Sequence, residues 1–430
     1  MSPRITNVWR RTFASARGSR NFRLFLSGQF ISAIGTWMTF TATSWLILTL
    51  TGSGTALGIN AALAFGPVLV LGPWGGVLAD RFDKRRILTF TQSTAAVISL
   101  SLATIVFTDV VSLWMVFALS LASGIVISID NPARQSFYVE MVGEGTLTNA
   151  VSLNSAAFTG ARIIGPAVAG ILIATVGMAI CFLIDGLSYL AVLAALLAMH
   201  GAEMHAQRRS TRERGHLVAG LRYVWETDAL RRPLLVMAVV FTFVFEWQVL
   251  VPLLANHTFH AGPGAFGLLS AAAGLGSFLG AILAANRNAR PSMHGLGVWL
   301  AAVGVTMALV SVAPTLPVAM VLMVPIGFFA MSFMITGNTM LQLEAKPQAR
   351  GRVMALYGVV FLGSTPIGAP LVGWLAEVLG ARLMFLAAGS LAVAVAVAVL
   401  VSRSGSSRVT RDETIEEPVG ALDAREAATA

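Results

Sequence analysis

Charge and cysteine are what this sequence has least of. Only 11% of its 430 residues are Asp, Glu, Lys or Arg, whereas 56% are hydrophobic and the mean hydropathy is +0.78. Soluble globular chains run at roughly 25% charged residues. So much apolar surface cannot be hidden in one soluble core, which excludes a water-facing exterior and points to a membrane protein. The single cysteine, Cys181, lies inside an apolar run and can make no internal disulfide, so nothing indicates a stapled, oxidised ectodomain. Also missing are a phosphate-binding glycine loop and a Gly-x-Ser-x-Gly nucleophile motif, which argues against an enzyme. His257 and His260 are followed at once by Gly262 and Pro263 with no acidic or cysteine ligand near, so no metal site is expected there and no cofactor is implied. No stretch reads as an ATP-binding domain, which leaves an ion gradient as the expected energy source.

Long apolar runs are what is there. A membrane span needs roughly 20 predominantly apolar residues, and twelve segments qualify. They lie at about 24–50, 56–79, 87–107, 111–133, 150–175 and 178–199, then at 233–255, 264–286, 294–313, 316–341, 353–376 and 380–402. The expected fold is an all-α membrane protein with 12 transmembrane helices in two six-helix bundles. Residues 1–199 form the first bundle, 200–232 a hydrophilic cytoplasmic linker and 233–402 the second bundle. The linker carries Arg208, Arg209, Arg212, Glu213, Arg214, Arg222, Arg231 and Arg232. Residues 403–430 switch to Ser, Thr, Ala, Glu and Asp and read as a disordered cytoplasmic tail. Arg4, Arg10, Arg11, Arg17, Arg20 and Arg23 precede the first run, which is too long for a signal-peptide core and is expected to stay as a span.

Orientation follows from the bases, because Lys and Arg beside spans are retained on the cytoplasmic side. The amino terminus, the 81–86 loop, the linker, Arg287 and Arg290, then Lys346, Arg350 and Arg352, and finally Arg403, Arg408 and Arg411 alternate onto one face. Connections on the other face, 51–55 and 313–317, carry almost no charge. Both termini are therefore expected in the cytoplasm. The formal charge of +9 is explained by this asymmetry and by contact with anionic membrane lipid, and no nucleic acid is implied.

The chain repeats itself. Leu153, Phe158, Gly160, Ile164, Gly165, Gly170 and Gly177 recur as Leu356, Phe361, Gly363, Ile367, Gly368, Gly373 and Gly380, at one offset of 203 positions. Spans five and eleven are thus one element used twice, and an offset of six spans, an even number, keeps the two halves in the same orientation, the parallel repeat of a two-bundle transporter.

Ionisable groups inside spans are the sharpest chemical clue, since a charge at the bilayer centre costs roughly 2.5–3.5 kcal/mol on insertion scales. Asp130, Asp185 and Glu246 are the intramembrane acids and Arg162 the deep base. Asp130 can reach Arg134 one helical turn away. Glu246 and Asp185 suit a carboxyl that takes up and releases a proton, or else a permanently paired structural charge. Arg162 could pair with a carboxylate across a central cavity or attract an anionic part of a substrate. Gln29, Thr36, Thr39 and Asn154 could point polar groups into that cavity or bond between helices. Trp37, Trp45, Trp247, Phe241, Phe243, Phe245, Met331, Met334 and Met340 could line it or simply pack the helices.

The loop between spans two and three reads Gly76-Val77-Leu78-Ala79-Asp80-Arg81-Phe82-Asp83-Lys84-Arg85-Arg86. Its order of glycine, three residues, acid, base and further bases resembles the signature loop of the major facilitator superfamily. Arg20 to Gln29, Thr49 to Gly58, Asp130 to Gln135, Gly165-Pro166, and Thr339 to Gln342 leading to Gly351-Arg352 resemble the bacterial branch that contains the enterobactin exporter. The resemblance implies a secondary exporter in the bacterial inner membrane, moving a small amphipathic, drug-like or siderophore-like molecule by alternating access in exchange for protons; an importer or a nontransporting membrane sensor on the same scaffold is the alternative, and a monomer is expected. It implies that Asp80, with Gly76, Arg81, Arg85 and Arg86, is a conformational latch facing the start of helix eleven near Arg352. It also makes Gly165, Pro166 and Gly170 similar to the helix-five motif of antiporters, a hinge at the bundle interface. Asp83 stands where that family usually has glycine, so a tight turn made by Asp in a left-handed conformation is expected there.

Overall fold

The computed structural model describes residues 14–200, 203–205, 216–286, 290–346 and 349–402. Arg4, Arg10, Arg11, Arg208, Arg209, Arg212, Glu213, Arg214, Arg287 and the 403–430 tail with Arg403, Arg408 and Arg411 lie outside the described residues.

Among the described residues, twelve helical segments are long and apolar enough to span a membrane. In the first half they are α1 (Arg20–Thr51), α2 (Gly54–Arg81), α3 (Lys84–Phe107), α4 (Leu113–Val142), α5 (Leu147–Thr175) and α6 (Met178–Leu197). In the second half they are α7 in two pieces (α7a, Asp228–Phe243; α7b, Trp247–Leu253), α8 (Pro263–Asn286), α9 (Met293–Ser311), α10 (Leu316–Glu344), α11 in two pieces (α11a, Arg350–Gly363; α11b, Thr365–Leu379) and α12 (Ala381–Val401). A further helix, His216–Glu226, occupies part of the segment expected to be a plain linker.

Local chemistry sets the reversals between helices. Gly52 closes α1 at φ 64°, a left-handed position that glycine adopts without strain, and Ser53 at once caps α2 by accepting from the Ala56 amide. The two helices are thereby joined by a two-residue turn. Between α2 and α3 the structure corrects the sequence expectation: Asp83 is extended, φ −61° and ψ 119°, and its carboxylate accepts from the Arg86 amide at 2.8 Å. Asp is among the best N-cap residues, so it stands in for glycine by capping the next helix and makes no left-handed turn.

Two spans expected to be continuous are broken. The run Val239 to Phe245 is entirely β-branched or aromatic, poor in helix propensity, and α7 opens at Val244–Glu246 before resuming. A π turn, Leu254–Thr258, follows α7b. In α11 the interruption falls at Ser364, where Pro366 cannot donate to the Leu362 carbonyl.

The packing repeats as the sequence does. α2 lies on α4 and α3 on α6; six helices later α8 lies on α10 and α9 on α12. Across the halves, α2 packs on α11b and α5 on α8. The glycines shared by the repeat are where these contacts close. Gly165 of α5 faces the Ile34 carbonyl and Trp37 of α1, while its counterpart Gly368 faces the Thr242 carbonyl and Glu246 of α7. Gly170 touches Gly267 of α8, and its counterpart Gly373 touches Gly54 of α2. These two pairs of repeat glycines therefore do the same task in each half, which is the two-bundle parallel repeat of the major facilitator fold.

Candidate functional site

The two halves meet toward one end only. At the end that carries the Gly52 turn, a methyl built on Gly58 would lie 2.2 Å from the Ala369 carbonyl oxygen, and one on Gly267 would lie 2.5 Å from that of Pro166. Helix backbones approach this closely only where side chains are absent. Trp45 of α1 stacks on Phe266 of α8 at 6.2 Å and seals the same region. Toward the basic end the packing loosens. Gly363 of α11a still meets Leu69 of α2, whereas a methyl built on Gly351 or Gly358 would meet nothing within 4 Å. On α5, Ile163 still meets Gly274 of α8, whereas Ser152, Ser155 and Ala156 on the same face are exposed. A cleft thus opens to the basic end and closes at about Arg162, midway along α5.

Aromatic rings surround the apex of that cleft. From the first half come Trp37, Phe40, Phe65 and Phe158, with Phe40 stacked on Phe65 and Phe158 edge-on to Trp37 at 5.6 Å. From the second half come Phe245, Trp247, Tyr357 and Phe361, with Phe361 edge-on to the buried Phe241 at 5.1 Å. Phe158 and Phe361 are repeat counterparts, so each half presents the same ring to the cleft. Met340 and Trp45 are buried in packing instead.

The four intramembrane charges have different surroundings. Asp130 is 5% exposed and fully engaged: Oδ1 accepts from Thr91 Oγ1 at 2.7 Å and Gln92 Nε2 at 2.8 Å, and Oδ2 lies 3.2 Å from Arg134 Nη2. Arg134 also donates to Gln29 Oε1 at 2.8 Å and Asn131 Oδ1 at 2.5 Å. Asp185 is 1% exposed; Oδ2 accepts from Thr39 Oγ1 at 2.8 Å and Ser99 Oγ at 2.6 Å, tying α6 to α1 and α3, and Oδ1 has no partner. Glu246 sits at the break in α7, 3% exposed, with Oε1 sealed and without a hydrogen-bond partner, against Gly368 of α11b. Arg162 departs from the cross-cavity ion pair considered from sequence. Among the described residues no carboxylate lies within 4.0 Å of it, and its guanidinium rests over the Trp37 ring, 5.4 Å from the centroid.

The polar candidates bond between helices in this state. The Gln29 oxygen takes Arg134, the Asn154 oxygen accepts from Tyr138 at 2.6 Å, and Thr36 pairs with Tyr189 at 3.3 Å. α5 runs unbroken through Pro166, with Gly165 and Gly170 on the faces toward α1 and α8.

In the loop between α2 and α3, Gly76 is buried and Asp80, Arg81 and Arg86 are exposed. Lys84 pairs with Glu140 of α4 at 2.5 Å and Arg85 donates to the Leu197 carbonyl at 3.2 Å, so this loop is pinned to its own half. Asp80 makes no hydrogen bond or ion pair with any described residue; Arg352 at the start of α11a does have an interaction, but not with Asp80. The opposite end holds a carboxylate that sequence reasoning missed. Glu377, near the end of α11b, accepts on Oε2 from Thr55 Oγ1 at 2.6 Å, Ser53 Oγ at 2.9 Å and the Thr55 amide at 3.1 Å. It sits on the unsatisfied amides that begin α2, where a negative charge is favoured. Its only sequence signal is an acid in the last turn of a span, and its partners are more than 300 positions away.

Comparison with known proteins completes the description. A family model described as transmembrane secretion effector matches residues 12–419. The staphyloferrin A transporter of Staphylococcus aureus is 23% identical, over 83% of this chain and 90% of its own length. The multidrug efflux pump Tap of Mycolicibacterium fortuitum is 28% identical over 85% and 91%, and the enterobactin exporter EntS of Shigella boydii 25% over 82% and 85%. Among solved structures, the nucleoside transporter NupG superimposes with a TM-score of 0.72 at 12% identity, covering 88% of this chain and 98% of that one.

Proposed function

This chain belongs to the transmembrane secretion effector family, on a major facilitator fold, and from that premise we propose that it is a secondary active exporter of small amphipathic molecules that works by alternating access in exchange for protons. The observation that carries the proposal is the cleft: the halves are held by backbone contacts at the Gly52 end and separate toward the basic end, with a ring of aromatic side chains at the apex. With basic loops retained on the cytoplasmic side, this is an inward-open state of a protein in the bacterial inner membrane with both termini inside.

The same two helices, α2 and α11, supply a latch at each end. On the external side Glu377 holds the start of α2 and keeps the cleft closed there. On the cytoplasmic side Asp80, at the end of α2, faces the start of α11a once the halves rock over, and stabilises the outward-open state. One carboxylate engages while the other is released. Gly165, Pro166 and Gly170 form the bearing about which α5 moves against α1 and α8.

Proton exchange falls to Glu246. A buried carboxyl, one oxygen of which is sealed without a donor, lodged between α7b and the moving α11b, changes its hydration whenever the halves rock, and thereby ties proton uptake to conformation. Asp185 and Asp130 have their donors within the first half and fix α1, α3, α4 and α6 together. The export direction draws on relatives that are a multidrug efflux pump and an enterobactin exporter.

Inverted vesicles containing the protein, with an acid lumen and a panel of amphipathic compounds outside, test the reading. Accumulation of at least one compound that collapses with a protonophore supports it; gradient-independent distribution of every compound overturns it.

A further inference from the structure

We infer that Arg162 and Trp37 form an anion-recognition subsite at the apex of the cleft, and that the transported molecule carries a carboxylate or phenolate attached to a planar apolar ring. The inference rests on the exporter reading and specifies its substrate class.

An arginine stays charged, and one at membrane depth is kept only where something offsets its cost. Asp130 is occupied by Arg134, Thr91 and Gln92. Asp185 is held on the far side of α1 by Thr39 and Ser99. Glu246 lies behind Gly368 in the other half. None of them reaches Arg162, and no hydrogen-bond acceptor among the described residues takes its N–H groups. Its partner in this state is the Trp37 ring face, a contact that leaves the edge of the guanidinium free to donate to two oxygens at once.

The surroundings add shape to the charge. Trp37 is anchored because Gly165 leaves no room on its Cβ side, 2.5 Å from where a methyl would be. The indole Nε1 is sealed without an acceptor, so the same ring that carries the guanidinium also holds an unpartnered donor. Phe158, half exposed, stands edge-on to the indole and presents a wall to the cleft. A fixed cation, a buried unpartnered donor and flanking aromatic faces together select a ring bearing an anionic oxygen. A compact inorganic anion gains nothing from the aromatic walls, and a compound lacking the negative charge gains nothing from Arg162.

The test compares two isosteric probes, 2-naphthoate and 2-naphthamide, for binding to the purified protein in nanodiscs by scintillation proximity. Native protein is expected to bind naphthoate more tightly than naphthamide by about tenfold, the size of one charge-assisted contact. Arg162→Gln should erase that preference by weakening naphthoate binding far more than naphthamide binding, and Arg162→Lys should restore part of it. Two results overturn the inference: equal binding of both probes by native protein, or a parallel loss of both in Arg162→Gln with Arg162→Lys unimproved. Nanodiscs of phosphatidylcholine alone and with phosphatidylglycerol separate the sources of the anion, since naphthoate binding abolished by phosphatidylglycerol would assign the site to lipid and refute a substrate role. Compound accumulation in vesicles is read in parallel: transport that persists without naphthoate preference removes only this inference, whereas its absence for every compound removes the exporter reading itself.

Discussion

Replacing Glu377 by Gln should open the end of the molecule that is closed in this structure. The carboxylate holds three donors from the first turn of α2. Each such contact is worth about 1.5–3 kcal/mol in a buried site, but Glu377 is solvent-exposed, and exposed charge pairs measure about 0.2–1 kcal/mol. The favourable end of the α2 dipole adds about 0.3–1 kcal/mol. Glutamine keeps one carbonyl acceptor and loses the charge, so the net loss is about 1 kcal/mol, a roughly fivefold shift in the balance between closed and open forms. Spin labels at Val110 and Val312, both exposed in turns at this end, report it by electron–electron double resonance. The longer-distance population should rise in Glu377→Gln, and the difference should shrink as salt screens the native charge. Thr55→Val alone should reproduce part of the shift, and the double variant should fall short of the sum because both changes break one contact. An unchanged distance distribution, or fully additive shifts, would refute the assignment of Glu377 as a latch.

Three further outcomes follow from the same geometry. Gly58→Ala places a methyl against the Ala369 and Pro370 backbone, where nothing can step aside, so a cysteine at Leu253, buried under Gly54, should become reactive to an impermeant maleimide in that background and stay silent in the native one. Glu246→Gln should abolish pH-driven accumulation while sparing substrate exchange across the membrane; unchanged pH-driven transport ends the coupling role. Asp130→Ala strands Arg134 in a largely buried network and should cost about 3 kcal/mol, the low end for a broken buried pair because Arg134 keeps some exposure, seen as an earlier thermal unfolding in detergent; a shift under 1 °C would contradict it.

The spans and the repeat were legible because both depend on composition and local pattern: twelve apolar runs, and seven residues recurring in register. The one-turn pair of Asp130 and Arg134 was legible for the same reason. Breaks in α7 and α11 were not, since apolarity says nothing of helix continuity and a β-branched, aromatic run satisfies a hydropathy reading as well as a good helix former does. Asp83 was misread by reasoning from the glycine it replaces; its own strength is capping. Glu377 and the Arg162–Trp37 contact depend on which helices face each other, α11 on α2 and α5 on α1, and that is decided by packing of the whole chain.

Alternating access through α2 and α11 is tested most directly by a cysteine pair at Asp80 and Ala349, just before α11a, in a Cys181→Ala background. In this structure Asp80 is unengaged, so crosslinking should be slow at rest, accelerate during turnover, halt transport, and be reversed by reductant. Failure to crosslink under any condition, or full transport with the pair crosslinked, would contradict the account.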